Sequence, residues 1–263
     1  MHQSVHKLIV LAISALGGVS NAAIGQDDAA RQTKFVIGAG IGAGPEYAGA
    51  DRSRVFPVIL ADYQNDNGVF ASATRGLGFG KKFGRTDLSA AVSYDGGRKD
   101  EKRTFGSGSD DLRGMGEIKG AALAKLHVGY DLGIVNLSVS ADLAVSERDR
   151  GNSVQLAAAT PLLFAAVDQV TAVLSSKYRN ERSMQTWFGV TPVQSVRSGY
   201  RIYKAEGGFE NVSLGVNWNH IVDRSWSINT TAGVSSMVGD AADSPIARRK
   251  ISPLLISMVN YRF

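Results

Sequence analysis

The stretch "VNLSVSADLAVS", residues 135–146, alternates without a slip. Val135, Leu137, Val139, Ala141, Leu143 and Val145 share one row, and Asn136, Ser138, Ser140, Asp142, Ala144 and Ser146 the other. A period of two is the mark of a β-strand with one apolar and one polar face. The pattern recurs from Glu117, where Ile118, Gly120, Ala122, Ala124, Leu126, Val128 and Tyr130 oppose Glu117, Lys119, Ala121, Leu123, Lys125, His127 and Gly129. It recurs again over Val212–Asn219 and Trp226–Ser235. A soluble sandwich alternates too, so length must decide. These runs exceed the ~5–6 residues of an ordinary soluble strand and match the ~9–11 of a tilted membrane strand. Tyr94, Tyr130, Tyr178, Trp218, Trp226 and Tyr261 gather near strand ends, as interfacial girdles require.

Composition agrees with a strand-rich chain. Its 263 residues include 30 Gly, 6 Pro and no Cys, with 44% hydrophobic residues spread evenly. Gly weakens helix interiors. The net charge of +5 is scattered, and no Lys/Arg run interleaved with aromatics points to nucleic acid. The absence of Cys removes any disulfide framework.

The first residues, "MHQSVHKLIVLAISALGGVSNAA", carry Lys7, then an apolar run from Leu8 to Val19, then Ser20-Asn21-Ala22. That is the layout of a Sec signal peptide over residues 1–22, cut after Ala22, with residues 23–263 as the exported domain. The apolar run is shorter than the ~20 residues of a spanning helix. No other segment reaches a membrane helix in length and apolarity. Only helices and closed barrels satisfy every backbone hydrogen bond in lipid, so a membrane fold for this chain is a barrel.

Loop lengths orient it. Short links fall near 64–67, 131–133, 165–168 and 221–225, and longer polar ones at 97–115, 146–152, 179–206 and 238–250. Outer-membrane barrels have short periplasmic turns and long external loops. Seven strands then follow residue 116, and both ends lie on the periplasmic side. Before residue 97, Phe35–Ala43, Val55–Tyr63 and Asp87–Asp95 read as strands. Two short strands within 68–84, broken at Arg75-Gly76, give twelve; an irregular connection there gives ten. The expected fold is therefore an all-β, antiparallel transmembrane β-barrel of twelve strands with a small plugged lumen. Leu162–Leu174 also fits a helix by pattern, and Asp168-Gln169 is the reason to break it into a turn.

Catalytic chemistry has few candidates. The mature chain holds two histidines, His127 and His220. His127 shares the polar rows with Asp142, Ser140 and Ser138, a nucleophile–base–orienter set in outline, although lumens are filled with such groups for structural reasons. His220 has no nominated partner. No metal-ligand spacing appears, and "GAGIGAG" at 38–44 reads as the small-residue face of a strand. The expectation is a chain without catalytic residues, metal or cofactor. Glu117, Lys119, Lys125, Asp142 and Lys177, joined by Arg75 and Arg98, are expected to pair inside and plug a narrow lumen. Arg148, Arg150, Arg179, Arg182 and Arg248-Arg249-Lys250 are read as loop cations available to lipopolysaccharide phosphates.

Several loop stretches carry a resemblance. They are "GPEYAGADRSRVFPVILADY" (44–63), "TRGLGFG" (74–80), "GGRKD" (96–100), "LRGMGEIKGA" (112–121), "WFGVTPVQSVRSGYRIYKAEGG" (187–208) and "GDAADSPIARRK" (239–250). In order and content they resemble the MltA-interacting protein (MipA/OmpV) family of outer-membrane proteins. The motif residues are Pro45, Tyr47, Gly49, Gly76, Gly78, Arg98, Gly116, Phe188, Gly189, Val190, Thr191, Gly199, Tyr203, Asp243, Ser244 and Pro245. The resemblance implies an outer-membrane barrel that scaffolds cell-wall remodelling, joining a lytic transglycosylase to a peptidoglycan synthase. Other members are porin-like channels or surface adhesins and antigens, which stands as the alternative. The outer-loop motifs are expected to fold over or into the barrel mouth, with Asp243 capping backbone N–H groups.

The last residues, "LLISMVNYRF" (254–263), place Leu255, Ser257, Val259, Tyr261 and Phe263 on the lipid row, and Asn260 and Arg262 inward or at the rim. Tyr261 and Phe263 resemble the terminal signal read by the outer-membrane insertion machinery. This strand is expected to close the barrel against Phe35–Ala43.

Overall fold

The structure is a computed structural model that describes residues 34–103 and 106–263. The expected signal peptide lies outside the described residues. The chain runs through β1 (Lys34–Pro45), β2 (Ser53–Gln64), β3 (Val69–Ser72), β4 (Gly76–Phe83) and β5 (Thr86–Asp95). An outer loop then holds a small parallel pair, β6 (Arg98–Lys99) and β7 (Ser107–Gly108). The wall resumes with β8 (Ala121–Asp131), β9 (Asn136–Ala144), β10 (Ser153–Phe164) and β11 (Asp168–Arg179). It ends with β12 (Gly208–Ile221), β13 (Trp226–Met237) and β14 (Ile251–Arg262).

All of these strands except β6 and β7 form one closed barrel of twelve, with β14 sealing it against β1 from Val36↔Arg262 to Ala43↔Leu255. The break at Arg75-Gly76 is real: residues 73–75 form the turn between β3 and β4. The segment with helical periodicity is a hairpin, turning at 165–167 between β10 and β11. Glu117 and Lys119 lie in the loop ahead of β8 and not on a strand, because β8 starts at Ala121. Glu117 pairs there with Lys99.

Side chains facing lipid are the exposed apolar ones, among them Ile37, Ile41, Leu126, Val128, Leu174, Leu214, Leu255 and Val259. On the inside, two walls differ. Along β14, Leu254, Ile256 and Met258 point inward and pack with Phe56, Val58 and Leu60 of β2. They meet across β1 because its inward positions are Gly38, Gly40, Gly42 and Gly44: a first side-chain carbon at Gly42 would land in the Phe56 ring. The opposite wall is polar. His127 Nδ1 lies 2.8 Å from Ser140 Oγ, Lys125 pairs with Asp142 at 3.6 Å, Ser213 donates to Ser235 at 2.8 Å and Asn217 to Thr231 at 2.8 Å.

The wall is lowest at β3. β2 pairs with it only through Asp62, Tyr63 and Gln64, so among the described residues no strand covers the rest of that β2 edge. Ala73 N–H donates to Ala61 O, so the odd-numbered β2 residues aim their backbone groups at this edge. Pro57 sits among them and brings no N–H, the usual way to blunt an open strand. Its neighbours Val55 and Ile59 are 72% and 69% exposed.

Candidate functional site

Five outer loops close the mouth of the barrel. Four of them, all but the β9–β10 loop, build two small hydrophobic cores with Met237 of β13. The first joins Tyr47, Ala50, Leu112, Met115, Val190 and Ile246, with Tyr200 and Tyr203 against it. The second joins Met184, Phe188, Ala205, Met237, Ala241 and Ala242, with Trp187 packed on it. Loops rarely bury apolar side chains unless their backbone polar groups find partners, and here they do. Tyr47 Oη donates to the Ile246 carbonyl at 3.0 Å, and Ser244 Oγ to the Phe188 carbonyl at 2.5 Å. Tyr200 Oη donates to the Asp111 carbonyl at 2.8 Å, and Tyr203 Oη to the Asp240 carbonyl at 2.9 Å. Burial also raises the Tyr47 phenol well above its ordinary value.

The cap holds three short helices, α1 (Glu181–Phe188), α2 (Pro192–Ser198) and α3 (Gly239–Asp243), and local sequence explains the first two. Asn180 caps α1 by accepting from Ser183 N–H. Thr191 and Gln194 form a reciprocal capping box on α2, Pro192 follows the cap, and Gly199 ends the helix at φ 78. Thr-Pro-x-Gln was a readable start signal.

Most motif residues converge here. Tyr47, Gly49, Phe188, Val190, Thr191, Gly199, Tyr203, Ser244 and Pro245 belong to the cap, with Pro45 at the outer end of β1. Val190 and Tyr203 exchange backbone hydrogen bonds at 2.8 and 3.0 Å, with Gly189 beside them closing α1 onto the Gln185 carbonyl. Gly116 N–H donates to Asp100. Gly76 and Gly78 stand apart, on β4, pressed against the β5 backbone. Asp243 does not cap backbone N–H groups: it pairs with Lys250 at 3.2 Å, and it is Asp240 that accepts from Glu206 N–H at 2.6 Å. The loop turns away at Ser244-Pro245 and carries the Asp243 carboxylate into solvent. Tyr261 and Phe263 lie at the other end, in an aromatic row with Trp226 and Phe35; Phe35 stacks on Phe263 at 5.0 Å.

Below the cap lies a charged neck centred on Trp187. The guanidinium carbons of Arg179, Arg150 and Arg98 stand 4.8, 5.3 and 5.9 Å from its ring centroid. Arg150 pairs with Asp95 and Arg179 with Glu210, each at 2.5 Å. Both arginines are buried, which overturns their reading as loop cations facing lipopolysaccharide. Arg179 ends the inward row of β11, whereas Arg150 lies in a short helical turn (Arg148–Arg150) of the loop between β9 and β10, where strand periodicity gives no direction. Arg248 is engaged as well, with Asp111 at 3.1 Å and Tyr200.

The nucleophile–base–orienter outline is not assembled. His127 meets Ser140, while the Asp142 carboxylate faces Lys125. His220 has a partner that the sequence did not suggest, Asp168 at 2.9 Å, which also accepts from Trp218 Nε1. No group of side chains among the described residues has the make-up of a metal site.

A closed twelve-stranded barrel with an apolar outer belt, aromatic ends and long loops on one side defines an outer-membrane β-barrel protein. The chain belongs to the family described as MltA-interacting protein MipA, whose model matches residues 37–263. It is similar to the MltA-interacting protein of Escherichia coli (strain K12), 24% identical over 236 residues, 88% of this chain and 90% of that one. The MltA-interacting protein of Shigella flexneri matches to the same extent. Among solved structures it is similar to an outer membrane channel from Pseudomonas putida F1, with TM-score 0.47 and 11% identity, covering 90% of this chain and 97% of that one. The toluene transporter TodX of Pseudomonas putida aligns at TM-score 0.40 and 10% identity, covering 89% and 90%.

Proposed function

We propose that this protein is a non-enzymatic outer-membrane scaffold that holds a lytic transglycosylase, and with it a peptidoglycan synthase, at the inner face of the outer membrane. The observation that carries the reading is the closed mouth. Tyr47, Leu112, Met115, Val190 and Ile246 are all 2% exposed or less, so these outer loops pack like a domain core. The periplasmic face then becomes the working one. Its short turns present Leu132, Ile134, Val167 and Val222 to the aqueous side, apolar groups beyond the strand ends that suit a protein contact. The names of the Escherichia coli and Shigella flexneri relatives support the choice of partner.

The test is co-purification from native membranes with an unrelated barrel as control. Murein hydrolases and synthases are expected to be enriched with the wild type, and lost with Ile134→Asp and Val222→Asp. Equal recovery on the control barrel sinks the proposal.

A second reading, a narrow channel, is favoured by the polar lumen wall running from Lys125 to Lys177. Stable single-channel steps in planar bilayers would support it over the scaffold. A hydrolytic activity abolished by His127→Ala would remove the non-enzymatic half of the proposal.

A further inference from the structure

The neck is not electrically balanced. Around Trp187 stand Arg98, Arg150 and Arg179, with Lys177 beside Arg179, and these four cations face three carboxylates, Asp95, Glu210 and, next to Arg98, Asp100. Asp95 and Glu210 are taken, by Arg150 and Arg179, and Asp100 accepts from Gly116 N–H, so one positive charge is left over. Lys177 has no ion pair or hydrogen bond among the described residues, although it is only 8% exposed. Its charged neighbours are Arg179, Glu210, Asp142 and Asp95, and Asp142 is engaged with Lys125. Arg98 is 3% exposed and donates through one terminal nitrogen to the Trp187 carbonyl at 2.7 Å. Its Nε has no partner among the described residues. Burial pushes Arg98 down to about 10, which leaves it a full cation at neutral pH.

Buried charges are held by partners or they are very costly. The Trp187 ring relieves part of the burden, but one ring serves three guanidiniums and supplies no counter-charge. Two desolvated cations with free donors, flanked by two more, are the donor set that oxyanions select. We propose that the neck is an anion-binding site, in which Lys177 and Arg98 take the phosphate or carboxylate group of a small solute, with Arg150, Arg179 and Trp187 as its surround. Access is from the lumen, because the cap cores lie over the outer side and Lys177 points inward from β11. The site stands whether or not the periplasmic face binds murein enzymes.

The experiment titrates the full-length barrel in detergent with inorganic phosphate, acetate and the neutral solute glycerol, reading thermal unfolding and tryptophan fluorescence. Binding to the folded state alone raises the melting temperature with ligand concentration. Phosphate or acetate is expected to give a saturable rise, and glycerol none. Lys177→Gln and Arg98→Gln are each expected to weaken binding by about tenfold, the size of a hydrogen bond to a charged group. Lys177→Arg, which keeps the charge if Gln prevents folding, retains it. A wild-type barrel with no saturable response to either anion overturns the proposal. So does a response that survives both Gln substitutions, because the anion then sits on the outer-loop cations.

Discussion

The two walls of the lumen are built on different principles. Across β14, β1 and β2 the interior is apolar, and a backbone strip of glycines lets Phe56, Met258 and Leu254 close over it. From β8 to β13 the interior is polar and held by ion pairs and hydrogen bonds between side chains. The seam where the barrel closes is therefore made by packing, and the arc formed by consecutive hairpins is made by polar pairing. Packing tolerates no added volume, whereas exposed pairs in a wet lumen are individually weak. The seam should accordingly fail first and most completely.

Gly40→Val is the strongest test. A side chain there meets the Ser257 carbonyl oxygen and the Met258 Cα, which are backbone and have nowhere to go. We expect β1 and β14 to lose their register, at a cost of about 4 kcal/mol or more. The compact, heat-modifiable band on cold gels reads it out. Full recovery of the folded band would mean that the seam is not set by packing. Phe56→Ala leaves a cavity beside Leu254 and is expected to cost about 3 kcal/mol in urea unfolding from lipid vesicles.

Outside the same seam, Phe263 stacks on Phe35 at 5.0 Å and meets Tyr261 edge-on at 4.8 Å, binding β14 to β1 at the periplasmic rim. Phe263→Ala should cost about 1 kcal/mol and slow assembly. A loss confined to assembly, with equilibrium stability unchanged, would separate a recognition role from the aromatic contact.

On the polar wall, Asp142→Asn is expected to cost less than about 1 kcal/mol, since both it and Lys125 are about a third exposed. The coupling to Lys125→Met should shrink further in high salt. Coupling comparable to the Phe56 loss would erase the distinction between the walls.

The same contrast explains what could be read in advance. The polar arc was legible because its rows alternate cleanly, as at Val135–Ser146 and Val212–Asn219. On β14 the outward row Leu255, Ser257, Val259 and Tyr261 was read correctly, but the middle of the inward row, Leu254, Ile256 and Met258, is apolar as well, against the rule of one apolar face per strand. Only pairing with the glycines of β1 reveals why, and pairing is a long-range fact. The turn at Arg75-Gly76 was visible as chemistry. The neck was not, because Arg150 and Arg179 sit in sequence beside exposed Arg148 and Arg182, and nothing local separates an inward arginine from an outward one. Trp187 seven residues beyond Asn180 was the available clue, an aromatic inside a polar loop.

The smallest expected effect lies at the foot of the polar arc, in the turn between β12 and β13. Asp223 Oδ1 accepts from Ser225 N–H and Trp226 N–H, each at 2.8 Å. Those two bonds hold its carboxyl below the usual carboxylate value. The folded state therefore binds the proton less well than the unfolded chain does. The stabilisation is complete above the unfolded value of ~3.9 and is lost as pH falls through the lower folded value. Asp223→Asn keeps an oxygen acceptor but removes the titration, so the variant's unfolding midpoint should fall less steeply than the wild type's between pH 5 and pH 3. The Gly40 seam has no carboxylate in its apolar inner row of Leu254, Ile256 and Met258, so its contribution should stay level across that window. An identical slope in wild type and variant would place the acid sensitivity of the fold elsewhere among the carboxylates of the polar wall.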